Sequence, residues 1–103
     1  MELPIAECRL DLAGLREQRD RYGRLGTEVE ETVRERGRLT VRLRAGFDQA
    51  LLREAIAVER ECCPFFNFEY TPERRLLEIG VDAPEQDAAL DALAFALGAN
   101  TSP

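Results

Sequence analysis

Ala55-Ile56-Ala57-Val58-Glu59-Arg60-Glu61-Cys62-Cys63-Pro64-Phe65-Phe66 decides the fold, because it reads as the end of a buried helix passing directly into an aromatic strand. On a helix turning by about 100° per residue, Leu51, Ala55, Val58 and Cys62 form one row, and Leu52, Ile56 and Cys63 form a second beside it. Gln49, Arg53, Glu54, Arg60 and Glu61 fall outside this apolar arc, as a solvated face should. Glu59 falls inside it, three residues before Cys62 and four before Cys63, so the three side chains share one patch. A carboxylate there must be paired, protonated or a ligand, since burying it alone is costly. Pro64 lacks an N–H and pushes Cys63 out of helical geometry, which ends the helix; Asp48 is the expected N-cap.

Outward from this helix the pattern alternates in type. Residues 11–25 predict a helix with a thin stripe of Leu15, Tyr22 and Leu25, carrying Gln18, which would lie against the outside of the body or a partner. Residues 28–35 and 39–45 predict a hairpin in which Leu39, Val41 and Leu43 alternate with Thr40, Arg42 and Arg44, the alternative for 28–35 being a first helix that runs on to about Arg36. A three-residue loop, Arg36-Gly37-Arg38, would pair Val33 with Val41 and place Val29 on the core face. On the outer face it would set Glu30 against Arg44 and Thr32 against Arg42, leaving Glu31 badly placed on the core side. Residues 65–70 predict a strand with Phe66, Phe68 and Tyr70 on one face. A turn over residues 71–75 leads to a strand with Leu77, Ile79 and Val81 inward. A four-residue loop pairs Phe68 with Ile79, Phe66 with Val81, and Glu69 with Glu78; Arg42 and Arg44 would offset that last like-charge pair. Asp82 is the expected N-cap of a last helix whose stripe is Leu90, Leu93 and Leu97, with Gly98 as its stop. The expected fold is therefore α+β in the order α-β-β-α-β-β-α, a four-stranded antiparallel sheet packed on helices.

The chain has 103 residues, enough for one domain, with residues 1–10 a lead-in and 99–103 a poorly ordered tail. Charged residues make up 33% and apolar residues 45%, which excludes wholesale disorder. The net charge of −6, with no lysine and no basic run, argues against nucleic acid or an anionic membrane as partner. No apolar stretch spans a bilayer, and the start resembles no signal peptide, so the expected location is cytoplasmic. With no histidine, no lysine and Ser102 as the sole serine, histidine-based catalysis, a Schiff base and a serine nucleophile in the body of the chain are excluded. The balance leans away from an enzyme.

Three cysteines do not make a disulfide framework, a bridge between neighbours is strained, and reduced thiols are expected. Several readings of Glu59, Cys62 and Cys63 stay open. The thiols can be small core hydrophobes, with Glu59 reaching an arginine, Tyr70 or a backbone N–H. They can instead hold a soft or borderline ion such as Zn(II), Hg(II) or Cu(I), or As(III), with Glu59 as third ligand or base and Cys8 or a partner chain completing the shell. Redox sensing is a third reading. A nucleophilic cysteine is disfavoured, because a helix C-terminus and apolar burial both raise a thiol pKa. Phe65 on the outer sheet face and Phe95 off its helix stripe leave apolar surface that a homodimer would cover, which suggests the alternative of a non-catalytic oligomeric interaction module with a structural Cys-Cys-Pro corner.

Glu59-Arg60-Glu61-Cys62-Cys63-Pro64-Phe65-Phe66-Asn67-Phe68, followed by a strand hairpin and a short helix, resembles a group of small bacterial proteins of unassigned function. Their shared signature is glutamate, two residues, two cysteines, proline and phenylalanine. The likeness extends loosely from Leu10 to Leu97 and is specific only around the cysteines. Such domains are associated with the neighbourhood of mercury-type metal regulators. The resemblance implies Glu59, Cys62 and Cys63 as the functional residues.

Overall fold

A computed structural model describes residues 12–98; the lead-in at 1–10 and the tail at 99–103 lie outside them. The order is α1 (Leu12–Gly26), β1 (Val29–Glu35), β2 (Arg38–Leu43), α2 (Gln49–Cys62), β3 (Asn67–Thr71), β4 (Leu76–Gly80) and α3 (Asp87–Ala96). The fold is the expected α+β arrangement. One antiparallel sheet runs β1-β2-β4-β3, so the two most apolar strands are central. Leu39, Val41 and Leu43 of β2 and Leu77 and Ile79 of β4 are buried in one core with Leu25 of α1, Leu52 and Ala55 of α2, and Leu90 and Leu93 of α3. The opposite face carries charge, including the expected Glu69 opposite Glu78.

The first hairpin differs from the expected register by one residue. Glu35 pairs with Arg38 across a two-residue loop, Arg36-Gly37, and Val41 faces Thr32, not Val33. Gly37 has φ +76°, a left-handed conformation that glycine adopts without a Cβ penalty and that lets so short a loop close. The shift turns Val33 outward, where it is 44% exposed. A bulge between Val29 and Glu31 restores the frame, so Val29 still opposes Leu43 and packs against the core. The misfit at Glu31 disappears, because Glu31 now points outward and pairs with Arg42, while Arg44 pairs with Glu28.

β1 is an edge strand, so its inward positions 32 and 34 need not be apolar. Arg34 reaches from there to α3, with Nε 2.9 Å from Asp91 Oδ1 and Nη2 3.0 Å from Asp87 Oδ2. Asp87 also accepts the Gly37 N–H at 2.7 Å. The Arg34 hydrogen bond, with that of Gly37 behind it, holds the Asp87 carboxyl below its ordinary pKa. The Glu69–Glu78 pair is approached by Arg38, 4.0 Å from Glu78, rather than by Arg42 or Arg44, whose partners are on and beside β1.

Three further boundaries move. The chain after Pro64 turns before the strand begins, with Phe66 N–H donating to Cys63 O at 3.2 Å, so Phe65 and Phe66 precede β3 and the Phe66–Val81 pair does not form. Phe65 is part-buried against Phe66, ring centroids 4.6 Å apart, and does not stand out on the outer sheet face. The last helix starts after a 3-10 turn at Pro84–Gln86, where Ala83 N–H donates to the Gln86 side chain, and Asp82 is not its cap. Phe95 is 82% exposed, as its position off the stripe requires.

α1 meets α3 end to end at Gly26. A Cβ on Gly26 would stand 2.2 Å from the Leu97 carbonyl oxygen, whereas one on Gly23 would touch nothing. The two glycines therefore answer oppositely to alanine. Gly26→Ala should lower stability by about 1–3 kcal/mol, because backbone must move to admit it. Gly23→Ala should raise stability by about 0.5–1 kcal/mol through helix propensity. Urea unfolding of the two variants checks both signs.

Candidate functional site

α2 begins and ends where its residues dictate. The Asp48 side chain accepts from Leu51 N–H at 3.1 Å, capping the first turn. At the other end Cys63 is the C-cap, its N–H donating to Glu59 O at 2.7 Å, and its φ of −131° leaves the helical region ahead of Pro64. The last turn therefore keeps Cys62 on the helix and swings Cys63 inward from its end. Both are buried, and their sulfurs are 3.5 Å apart. Glu59, one turn back, is only 4% exposed. Ligand atoms of Glu59, Cys62 and Cys63 all lie within 4.8 Å of one another.

Among the described residues, Glu59 meets neither an arginine nor Tyr70. Its partners come from α1: Tyr22 Oη donates to Glu59 Oε1 at 2.6 Å, and Gln18 Nε2 donates to the same oxygen at 3.0 Å. Gln18 Nε2 also donates to Ala55 O at 2.9 Å, and Gln18 Oε1 accepts from Arg21 Nη1 at 2.8 Å. Arg21 in turn lies 3.6 Å from Glu54. The amide of Gln18 is thus oriented on both sides, and it carries the polarity of Arg21 into the buried carboxylate. Burial raises the Tyr22 pKa well above the ordinary phenol value, and the Glu59 charge adds to the rise, so Tyr22 stays a donor.

These α1 partners are the residues that reasoning from α2 alone missed. A signal was present, since Gln18 interrupts the apolar stripe of α1 as Glu59 interrupts that of α2. Two polar intrusions on facing stripes satisfy each other. Tyr70, by contrast, packs edge-on against Phe47, and its buried hydroxyl has no hydrogen-bond partner among the described residues.

The sulfurs are not equivalent. Cys62 is in a disulfide, while Cys63 carries a buried thiol, which corrects the expectation of reduced thiols at Cys62. The 3.5 Å between their sulfurs is far beyond a bond of about 2.05 Å, so the strained vicinal ring is not formed. Cys8, the third candidate thiolate, lies outside the described residues. In reduced protein the corner offers two thiols and a carboxylate to one point.

Removing the carboxylate should show as stability. Glu59→Ala leaves the Tyr22 hydroxyl and the Gln18 amide unpaired, at about 1–3 kcal/mol for each. Glu59→Gln keeps an acceptor oxygen for both and should lose less. The Tyr22 linkage gives a sign with pH. A phenol whose folded pKa is raised holds its proton longer in the folded than in the unfolded chain. Its contribution is complete below the ordinary value of about 10 and shrinks as pH rises through the folded value. Stability measured in urea should fall as pH rises above about 10, and Tyr22→Phe should flatten the fall.

No protein-family model, no curated protein and no solved structure matches the chain.

Proposed function

We propose that the chain is a small binding protein for a soft or borderline metal ion or a metalloid, with Cys62 and Cys63 as sulfur ligands and Glu59 as third ligand or proton acceptor. The observation that carries it is the convergence of three buried donor atoms within 4.8 Å at one helix end. Thiolates suit Zn(II), Hg(II), Cu(I) and As(III). Gln18 and Tyr22 hold the carboxylate in place, in the way that outer partners orient metal ligands. The likeness of the Glu-x-x-Cys-Cys-Pro-Phe stretch to bacterial domains near metal regulators supports the same site. The disulfide at Cys62 makes binding conditional on reduction, and a cytoplasmic location, where such bonds open, is part of this reading. No described helix is long and apolar enough to cross a membrane.

Native mass spectrometry of reduced, anaerobic protein with each ion tests the proposal. One ion per subunit or per dimer is expected, lost in Cys62→Ala/Cys63→Ala and lost on reoxidation. Equal uptake by the double variant would refute the site.

A second reading follows from Phe95, 82% exposed on α3. It is a non-catalytic interaction module that self-associates through this ring, with the cysteine corner purely structural. Sedimentation should then show a dimer that Phe95→Glu dissociates; a mass independent of concentration would count against it.

A further inference from the structure

Resting on the ion-binding reading above, we infer that the corner is built for a trivalent, pyramidal metalloid hydroxide of the arsenous acid class, held by Cys62 and Cys63 within one chain. The spacing of the sulfurs carries the argument. With metal–sulfur bonds of about 2.3 Å, two sulfurs across a linear ion stand about 4.6 Å apart, whereas an angle of about 100° at the central atom brings them to about 3.5 Å. With Cys62 in its disulfide, Cys62 Sγ and Cys63 Sγ already stand 3.5 Å apart, so reduction need not bring them together. Cys62 is held on the last helical turn and Cys63 at the cap, both within the core, so the pair does not open freely.

Donor number points the same way. Among the described residues the cluster holds three groups, Glu59, Cys62 and Cys63. A structural zinc site needs four ligands, more than this cluster supplies; a trivalent metalloid with a lone pair takes three, here the two sulfurs and the hydroxyl it retains, with Glu59 beside them.

The chemistry balances. A phosphine first reduces the Cys62 disulfide to thiols, itself becoming phosphine oxide with the oxygen of one water. Cys62 and Cys63 each then form an As–S bond as an As–O bond of As(OH)3 breaks. The two thiol protons leave with the two hydroxyls as water, and arsenic stays trivalent throughout. Glu59, beside both sulfurs, takes a thiol proton and returns it to the departing hydroxyl.

The test uses the full chain, reduced with phosphine under anaerobic conditions. Sodium arsenite is titrated in, and Zn(II), Cu(I) and Hg(II) are titrated separately. The expected result is one arsenic per chain, seen by native mass spectrometry as arsenous acid less two waters. Arsenic-edge X-ray absorption should show two sulfurs and one oxygen. Cys62→Ser or Cys63→Ser should each weaken arsenite binding by roughly 100-fold or more, the scale of losing an intramolecular second bond. Glu59→Gln should slow uptake and leave the two-sulfur shell intact. The absorption spectrum of the unaltered protein decides the matter even where a serine variant fails to fold. Arsenite ignored while Zn(II), Cu(I) or Hg(II) binds both sulfurs of one chain would overturn this inference and leave the ion-binding reading standing. Arsenic held by a single sulfur would also overturn it, and no adduct with any ion would overturn both.

Discussion

The buried carboxylate of Glu59 is the constraint on which the arrangement of helices depends. A charge taken out of water must be met by donors, and here both donors to Oε1 come from another helix. Charge-assisted hydrogen bonds of this kind contribute about 1.5–3 kcal/mol each. They also fix geometry, because Gln18 and Tyr22 can both reach one oxygen only at one rotation and height of α1 on α2. The apolar stripe of α1 is too thin to impose this by itself. With α1 set in that position, its far end brings Gly26 against the backbone at Leu97, and α3 is located in turn.

The sheet contributes a second fastening of a different kind. β1 lies at an edge, so an inward position can hold an arginine whose stem covers apolar surface and whose head reaches water and acids. Arg34 does this, clamping Asp87 and Asp91 of α3 to the edge. The outer face of the same hairpin is laced by Arg42 with Glu31 and Arg44 with Glu28, exposed pairs that contribute little each. Burial of Leu39, Val41, Leu77 and Ile79 on the central strands is the larger stabilising term, at about 1.5–3 kcal/mol per side chain.

The sulfur corner is a by-product of how α2 must stop. Pro64 forces Cys63 out of the helix while Cys62 remains in it, so neighbouring residues turn their sulfurs towards each other rather than to opposite sides. Phe66 N–H then donates back to Cys63 O, and the Phe65 and Phe66 rings stand 4.6 Å apart before the chain extends into β3. Glu59 serves both regions: its hydrogen bonds hold α1, and its carboxylate stands beside the two sulfurs. The packing of α1 and the sulfur corner are thereby joined through one side chain.

By itself the sequence determined the element order, the single antiparallel sheet, the span of α2 with its Asp48 cap and Pro64 stop, and the grouping of Glu59 with Cys62 and Cys63. These follow from rules acting over a few residues: helical and strand periodicity, capping, and the geometry of proline. Only the tertiary structure decided what lay beyond that range. The partners of Glu59 are 37 and 41 residues away in the chain, so no local pattern names them. The register of β1 turned on a short loop at Gly37 and a bulge after Val29, and on Arg34 finding acids on α3, which made an outward Val33 tolerable. In each case periodicity chose a face, but the pairing was settled by which distant group could meet a buried charge or close a turn.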